Sequence, residues 1–396
     1  VLIFNLDASN NLLDKIPDNI LGQTSYYRNN SGSTATGLNQ PRATAYDEVN
    51  NRLFVADTGN HRVLVYDMNT ITDGEAAVSV LGQPNLTTTT SGLTQAKLNQ
   101  PIGLVYATTT GQLFVADSGN HRVLIYDISS GITNGQNASA VLGQTLYTTN
   151  TTGLSQSAMN TPSSVEVDTV GNRIFVADSS NRRVLIFNTL TPTNGQNADV
   201  VLGQPDFTTN SSAATFNKLF NNVRGIEYDM LRKRLYVSNG SRHLIFNVSN
   251  PTNGMNAIRF LSQAAINGSL GTPGTVTNME NSASLYIPET GKLYLVDHAS
   301  SRISIYEDYL NVEFNKSVAT TTNESTLGSA YPLLLFVNGV ATTTQTVNIY
   351  RSGGTASLSE FTFATHTIAI PPGIYDGTTS TAITINQPTL IDDGAV

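Results

Sequence analysis

The chain has 396 residues, of which only 13% are charged, with a net charge of −8 and no cysteine. An acidic chain has no basic face to neutralise phosphates, which excludes a nucleic-acid partner, and the missing cysteines exclude disulfides, thiolate chemistry and Cys-ligated zinc. No apolar run reaches the ~18 residues that span a bilayer.

The first segment, Val1-Leu-Ile-Phe-Asn5, returns as Val63-Leu-Val-Tyr-Asp67, Val123-Leu-Ile-Tyr-Asp127, Val184-Leu-Ile-Phe-Asn188 and Leu244-Ile-Phe-Asn247, and in diverged form as Ile303-Ser-Ile-Tyr306. Between copies the same apolar runs recur in order. One ends in Leu-Gly-Gln, at Ile20–Gln23, Val80–Gln83, Val141–Gln144 and Val201–Gln204, with Phe260-Leu-Ser-Gln263 as a variant. The next is a run such as Pro101–Tyr106 or Ser164–Asp168, then one such as Gln112–Ala116, then the Val-Leu-Ile-Tyr copy. Each is short, rich in β-branched and aromatic residues and bounded by Gly, Asn, Asp or Pro, which predicts strands and no packed helix.

Four strands per period predict the blade of an all-β propeller. Counting from the Leu-Gly-Gln run makes it the innermost strand and the Val-Leu-Ile-Tyr run the outermost. Five complete four-stranded blades then begin near Ile20, Val80, Val141, Val201 and Phe260, and Val1–Asn5 is one outer strand of a sixth. A ring must close. The preferred expectation is that the sixth blade's other strands precede Val1 in a longer parent chain; the alternative is a five-bladed ring with Val1–Asn5 as an accessory strand.

The last two runs of each period are joined by Asp57-Thr-Gly-Asn-His-Arg62, Asp117-Ser-Gly-Asn-His-Arg122 and Asp178-Ser-Ser-Asn-Arg-Arg183. Asp caps nearby N–H groups, Gly and Asn accept positive φ, and Arg can return a charge-assisted bond to Asp, so these residues are predicted to lock the turn. The turn and its register resemble the NHL repeat family over roughly residues 1–306, which implies a β-propeller, commonly six-bladed. The fourth copy departs from it, with the shorter Asn239-Gly-Ser-Arg242. The fifth keeps Asp297 and Arg302 around His298-Ala-Ser-Ser.

Residues 307–330 are polar and read as a linker. Beyond them Leu333–Val337, Thr346–Tyr350, Thr367–Ile370 and Thr381–Ile385 alternate as half-buried strands do. The order Val347-Asn-Ile-Tyr-Arg-Ser-Gly-Gly354, Glu360-Phe-Thr-Phe363, Ile370-Pro-Pro-Gly373, Thr381–Ile385 and Ile391-Asp-Asp393 resembles a Calx-β domain. That resemblance implies a partial β-sandwich over 331–396, of a type found on surface proteins and in some members binding calcium through acidic loops. Asp392 and Asp393 are then candidate calcium ligands, although Glu360 stands where the family more often has Asp.

His61 and His121 occupy equivalent turns, so repetition explains them without catalysis. The acids Asp57, Asp117, Asp178 and Asp297 sit in near-identical settings, unlike a catalytic pair, whose environments differ. No nucleophile-elbow, zinc-protease, phosphate-loop or EF-hand motif is present, and no catalytic residue is assigned. Gln23, Gln83, Gln144, Gln204 and Gln263, taken as ends of innermost strands, form a candidate ring of amides for a polar ligand at one mouth of the channel. The competing reading spends those amides on neighbouring backbone. Long loops such as Pro84–Gln100 and Thr145–Met159 are the other candidate binding surfaces.

Together these features predict a non-catalytic extracellular or cell-surface module for adhesion or assembly. Its partners would be other surface proteins, copies of itself or glycans, with no cofactor beyond calcium in the C-terminal segment. The rivals are a propeller enzyme of lactonase, lyase or glycan-hydrolase type, which requires a metal or at least two inward-facing acids or histidines at the channel mouth, and a structural subunit of a filament or surface layer.

Overall fold

Short apolar runs punctuated by turn residues have one way to satisfy their backbone groups, which is to pair as antiparallel hairpins. The computed structural model describes residues 1–5, 16–219, 221–240 and 242–261, and beyond these the backbone of strands between 281 and 385. Among the described residues it is all-β apart from single 3₁₀ turns. Strands β1 (Leu2–Ile3) and β2 (Asn19–Ile20) pair with each other. Four sheets of four strands follow. The first holds β3 (Pro41–Asp47), β4 (Arg52–Asp57), β5 (Arg62–Asp67) and β6 (Ser79–Leu81), and the second β7 (Pro101–Ala107), β8 (Gln112–Asp117), β9 (Arg122–Asp127) and β10 (Ala140–Leu142). The third holds β11 (Pro162–Asp168), β12 (Arg173–Asp178), β13 (Arg183–Phe187) and β14 (Val200–Leu202), and the fourth β15 (Val223–Asp229), β16 (Arg234–Asn239), β17 (Arg242–Asn247) and β18 (Arg259–Leu261).

These are propeller blades, with their grouping shifted by one strand from the sequence expectation. The run ending in Leu-Gly-Gln closes a blade: Val63 pairs with Leu81 and Val184 with Leu202. The innermost strand is the Pro-led run, and β3, β7, β11 and β15 lie side by side. Connector length explains the shift. Residues 68–78 link β5 to β6, a span short enough to keep them neighbours, whereas the longer 82–100 carries the chain across to the next blade. Four-stranded sheets therefore number four among the described residues. The Phe260 run belongs to the fourth blade, and β19 (Asn281–Ile287), β20 (Lys292–Asp297) and β21 (Arg302–Glu307) form a three-stranded sheet.

The cores lie between blades. Phe114, Ile125 and Leu142 of the second blade pack with Met159, Ile174 and Phe187 of the third. Phe175, Ile186 and Leu202 of the third pack with Leu219, Leu235 and Phe246 of the fourth. Inner strands approach closely, and a Cβ on Gly103 would meet Ser164 Cα at 2.6 Å. No helix among the described residues is long and apolar enough to cross a membrane.

A second compact unit comprises residues 231–233, 285–294 and 305–396. In it β22 (Asn311–Phe314), β23 (Tyr331–Ala341) and β26 (Gly373–Ile385) form one antiparallel sheet, and β24 (Gln345–Ile349) pairs with β25 (His366–Ile370). Strand β22 falls inside the stretch expected to be a linker. It pairs in antiparallel register with Leu335–Asn338.

Candidate functional site

The turn between the second and third strands is a buried polar knot. Asp57 ends β4, a 3₁₀ turn covers Thr58–Asn60, and His61 takes the left-handed conformation at φ 55° before Arg62 opens β5. Asp57 Oδ1 accepts the Asn39 N–H at 2.6 Å, while Oδ2 accepts Asn60 Nδ2 at 2.8 Å and Arg62 Nε at 2.7 Å. Arg62 also donates to the carbonyls of Ser33, Thr34, Gly37 and Leu86, tying two loops to the blade. Both side chains are fully buried. The set repeats at Asp117 with Arg122 and at Asp178 with Arg183, each pair 2.7 Å apart. In the fourth blade Arg242 Nη2 donates to Asn239 Oδ1 at 3.3 Å. Asp297 ends β20 and Arg302 begins β21.

The glutamines stand after the outermost strands, so their predicted place at a channel mouth is corrected. Gln83 Nε2 donates to the carbonyls of His61 and Thr90, each at 3.0 Å; Gln144 does the same to His121 and Thr151, and Gln204 to Arg182 and Ser211. Gln23 donates to Asn30 at 2.7 Å. These amides fasten each crossing loop to the preceding turn. The histidines complete the fastening, since His61 Nδ1 accepts the Gln100 N–H at 3.0 Å and His121 Nδ1 accepts that of Thr161 at 3.1 Å. Burial lowers both imidazole pKa values, and each ring must be neutral at Nδ1 to accept. Gln263, His298, Asp392 and Asp393 lie outside the described residues.

The arrangement with most chemical potential escaped the sequence reading. Glu166 in β11 and Glu227 in β15 occupy the same register position, each two residues before the strand-ending Asp, on neighbouring inner strands. Both are half-buried. Burial pushes Glu166 well above the ordinary carboxylate range, and the charge of Glu227 pushes it further. Glu227 is pushed up to about 8, by burial and then by Asp229. Ala45 and Val105 hold the equivalent positions in β3 and β7. Superposing the four inner-strand sequences would have exposed two acids replacing apolar residues. Close by, Asp168 accepts bonds from Arg173 at 2.6 Å and from the Tyr228 hydroxyl at 2.8 Å across the blade boundary. Burial alone would raise its pKa, but these bonds and one from the Gly171 N–H hold it below the usual carboxylate value. Among the described residues, no group of three or more His, Asp or Glu gathers as a metal-binding cluster.

Residues 38–66 and 98–126 match the NHL repeat family model. The human protein named NHL repeat-containing protein 2 is 31% identical over 93 residues, and the bovine protein of that name 30% identical over 94. Each alignment takes in 24% of this chain and only 12% of the relative. Among solved structures, hydrazine synthase of Kuenenia stuttgartiensis aligns at TM-score 0.40 and 11% identity, over 77% of this chain and 64% of that one. A nidogen/laminin complex aligns at TM-score 0.39 and 12% identity, over 69% and 81%. Both matched segments run from the loop before an inner strand, through the Asp–Arg turn, to the end of the third strand: the chain carries NHL repeats, folded as blades of a β-propeller.

Proposed function

We propose that the chain is a non-catalytic binding module of an extracellular or cell-surface protein, presenting its Thr-, Ser- and Asn-rich crossing loops to a protein or glycan. One observation carries this reading: the recurring polar groups are consumed inside the fold. Asp, Asn and Arg of the turns satisfy one another, and the Gln and His side chains join blade to blade. What remains to meet a partner is the loop surface, such as residues 84–97, on a rigid scaffold. In this reading the C-terminal segment is a Calx-β-like stalk, and Asp392 and Asp393 contribute to a calcium site. Screening the full chain against glycans and surface proteins should return saturable binding that loop substitutions remove. Failure to find a binder, or a parent protein confined to the cytosol, rejects the proposal; a calcium titration unaffected by D392N/D393N rejects the calcium site.

Glu166 and Glu227 favour a second reading, a propeller hydrolase or lyase. Two carboxyls on adjacent inner strands, one perturbed toward neutrality by the other, are the pairing that general acid and base catalysis uses. Turnover of a lactone or glycoside that E166Q and E227Q each abolish would establish it; turnover unaffected by both would exclude this site.

A further inference from the structure

The connectors that lead into β6, β10, β14 and β18 carry one tight turn in four copies: Thr72-Asp-Gly-Glu75, Thr133-Asn-Gly-Gln136, Thr193-Asn-Gly-Gln196 and Thr252-Asn-Gly-Met255. In each, the fourth residue's N–H donates to the Thr carbonyl, and the Gly takes a left-handed φ of 66–72°. The second residue clips the outer strand before it. Its Oδ1 accepts a main-chain N–H at 2.9–3.1 Å, from Ile20 at Asp73, Val80 at Asn134, Val141 at Asn194 and Val201 at Asn253. The copies differ in what else fastens them. Gly74, Gly195 and Gly254 donate their N–H to the carbonyl of the same clipped residue at 2.8–3.0 Å, whereas the Gly135 N–H donates no hydrogen bond among the described residues. The Tyr147 hydroxyl also donates to Asn194 Oδ1 at 3.4 Å, as Tyr26 does to Asp73 at 3.2 Å. Leu86 and Phe207 stand at the matching positions for Asn134 and Asn253 and have no hydroxyl to offer.

An Asn followed by Gly can react with its own main chain, because Gly has no side chain to obstruct the approach. The Gly nitrogen attacks Asn Cγ and an N–Cγ bond forms. The Cγ–Nδ2 bond breaks, and Nδ2 leaves as ammonia with the proton that the Gly nitrogen gives up. Water then opens the five-membered imide at either carbonyl, leaving aspartate or isoaspartate. An N–H donated to a carbonyl is not free to lose its proton, and a side chain fastened through Oδ1 is not free to turn. Asn134, Asn194 and Asn253 are all exposed to water, whereas the Asn239 of Asn239-Gly240 is buried. We propose that Asn134 is a self-deamidation site, the first to react among the described residues, with Asn253 and then Asn194 following as fastening bonds are added. Asp73 shows that an aspartate product can still take the clipped N–H. Isoaspartate adds a methylene to the main chain, which breaks the clip and loosens the joint between the first and second blades.

The full chain is aged at pH 8 in buffer and, separately, in urea. Trypsin places the three sites on the separate peptides 123–173, 184–218 and 243–259, and mass spectrometry follows amide-to-acid conversion at each. In the folded chain Asn134 should convert about fivefold faster than Asn253, the weight of one hydrogen bond, with Asn194 slowest. In urea the three rates should converge. Tyr147→Phe should raise the Asn194 rate to that of Asn253, and Leu86→Tyr should slow Asn134. As isoaspartate accumulates, amide exchange at Val80 should quicken while that at Val201 stays unchanged. The inference is overturned by equal rates in the folded chain, by a lead for Asn194 or Asn253, by an order that persists in urea, or by an Asn134 rate that Leu86→Tyr leaves unchanged.

Discussion

Asp117 and Arg122 form a fully buried charged pair whose hydrogen bonds offset only part of the cost of burying the carboxylate. Burial pushes the Asp117 carboxyl upward, and Arg122 with the Asn99 and Asn120 donors opposes it. Replacing Arg122 by Met leaves an uncompensated buried carboxylate and should cost about 3–5 kcal/mol in urea denaturation; adding Asp117→Leu should recover much of that. A loss under 1 kcal/mol would show the pair to be dispensable. The hydroxyls of Tyr66 and Tyr126 behave oppositely: both are buried with no hydrogen-bond partner among the described residues, and Phe187 and Phe246 occupy the equivalent positions. Tyr126→Phe should therefore be neutral or stabilising, by up to about 1 kcal/mol, and a clear loss in melting temperature would reveal a bond at that hydroxyl. Glu227 adds a pH signature. Its folded pKa of about 8 lies above the ordinary 4.5, so the folded state keeps a proton that the unfolded chain releases. Stability from this group is full below about 4.5 and is lost as pH rises through 8. E227Q should match the wild type near pH 4.5 and exceed it at pH 8.5; the same stability gap at both values would refute the shift.

Between elements, the imidazoles of His61 and His121 latch each turn to the next inner strand. Both folded pKa values fall below the ordinary 6.5 because of burial, and at His61 the charge of Asp57 only partly offsets this. As pH drops through 6.5 the unfolded chain takes up protons that the latches refuse, so their contribution is full above neutrality and declines in mild acid. H61N/H121N keeps residues that tolerate the left-handed backbone but cannot titrate. It should flatten the drop in melting temperature between pH 7 and 5, leaving the part due to His243, whose pKa burial pushes down to about 3. An unchanged slope would mean the latches do not control stability. These latches also mark the limit of what the sequence conveys. The recurring Asp-x-Gly-Asn-His-Arg turn announced its Asp–Asn and Asp–Arg bonds, because those partners are local, although the left-handed residue is His61 and not the expected Gly or Asn. The role of His61 depended on Gln100, thirty-nine residues away, and that distance became readable only once the inner strand was identified. A cyclic order of four strands does not say which comes first, although the shorter connector at 68–78 carried that information. Glu166 and Glu227 were hidden for another reason: with Ala45 and Val105 at the matching positions, they are not part of the repeat.

At the scale of the propeller, a blade has no core of its own. One face of β12 sends Ile174 and Val176 toward the second blade and the other sends Phe175 and Ala177 toward the fourth. Alternation along a strand, which in a sandwich separates core from solvent, here divides one strand between two cores. Neighbouring blades are therefore coupled through the sheet they share, as in other repeat arrays where stability resides in interfaces. Phe175, fully buried at the boundary of the third and fourth blades and 4.9 Å from the Tyr228 ring, tests this. Phe175→Ala removes about 3–5 kcal/mol of packing. If blades were independent, faster amide exchange would be confined to β12–β17. Coupling through β11–β14 predicts more: protection should also fall in β8 and β9 of the second blade, which never touches Phe175, because its partner layer of Ile174, Val176 and Leu185 sits on the weakened sheet. Hydrogen exchange resolved by strand distinguishes the two, and unchanged protection in β8 and β9 would show that the blades fold as separate units despite their shared cores.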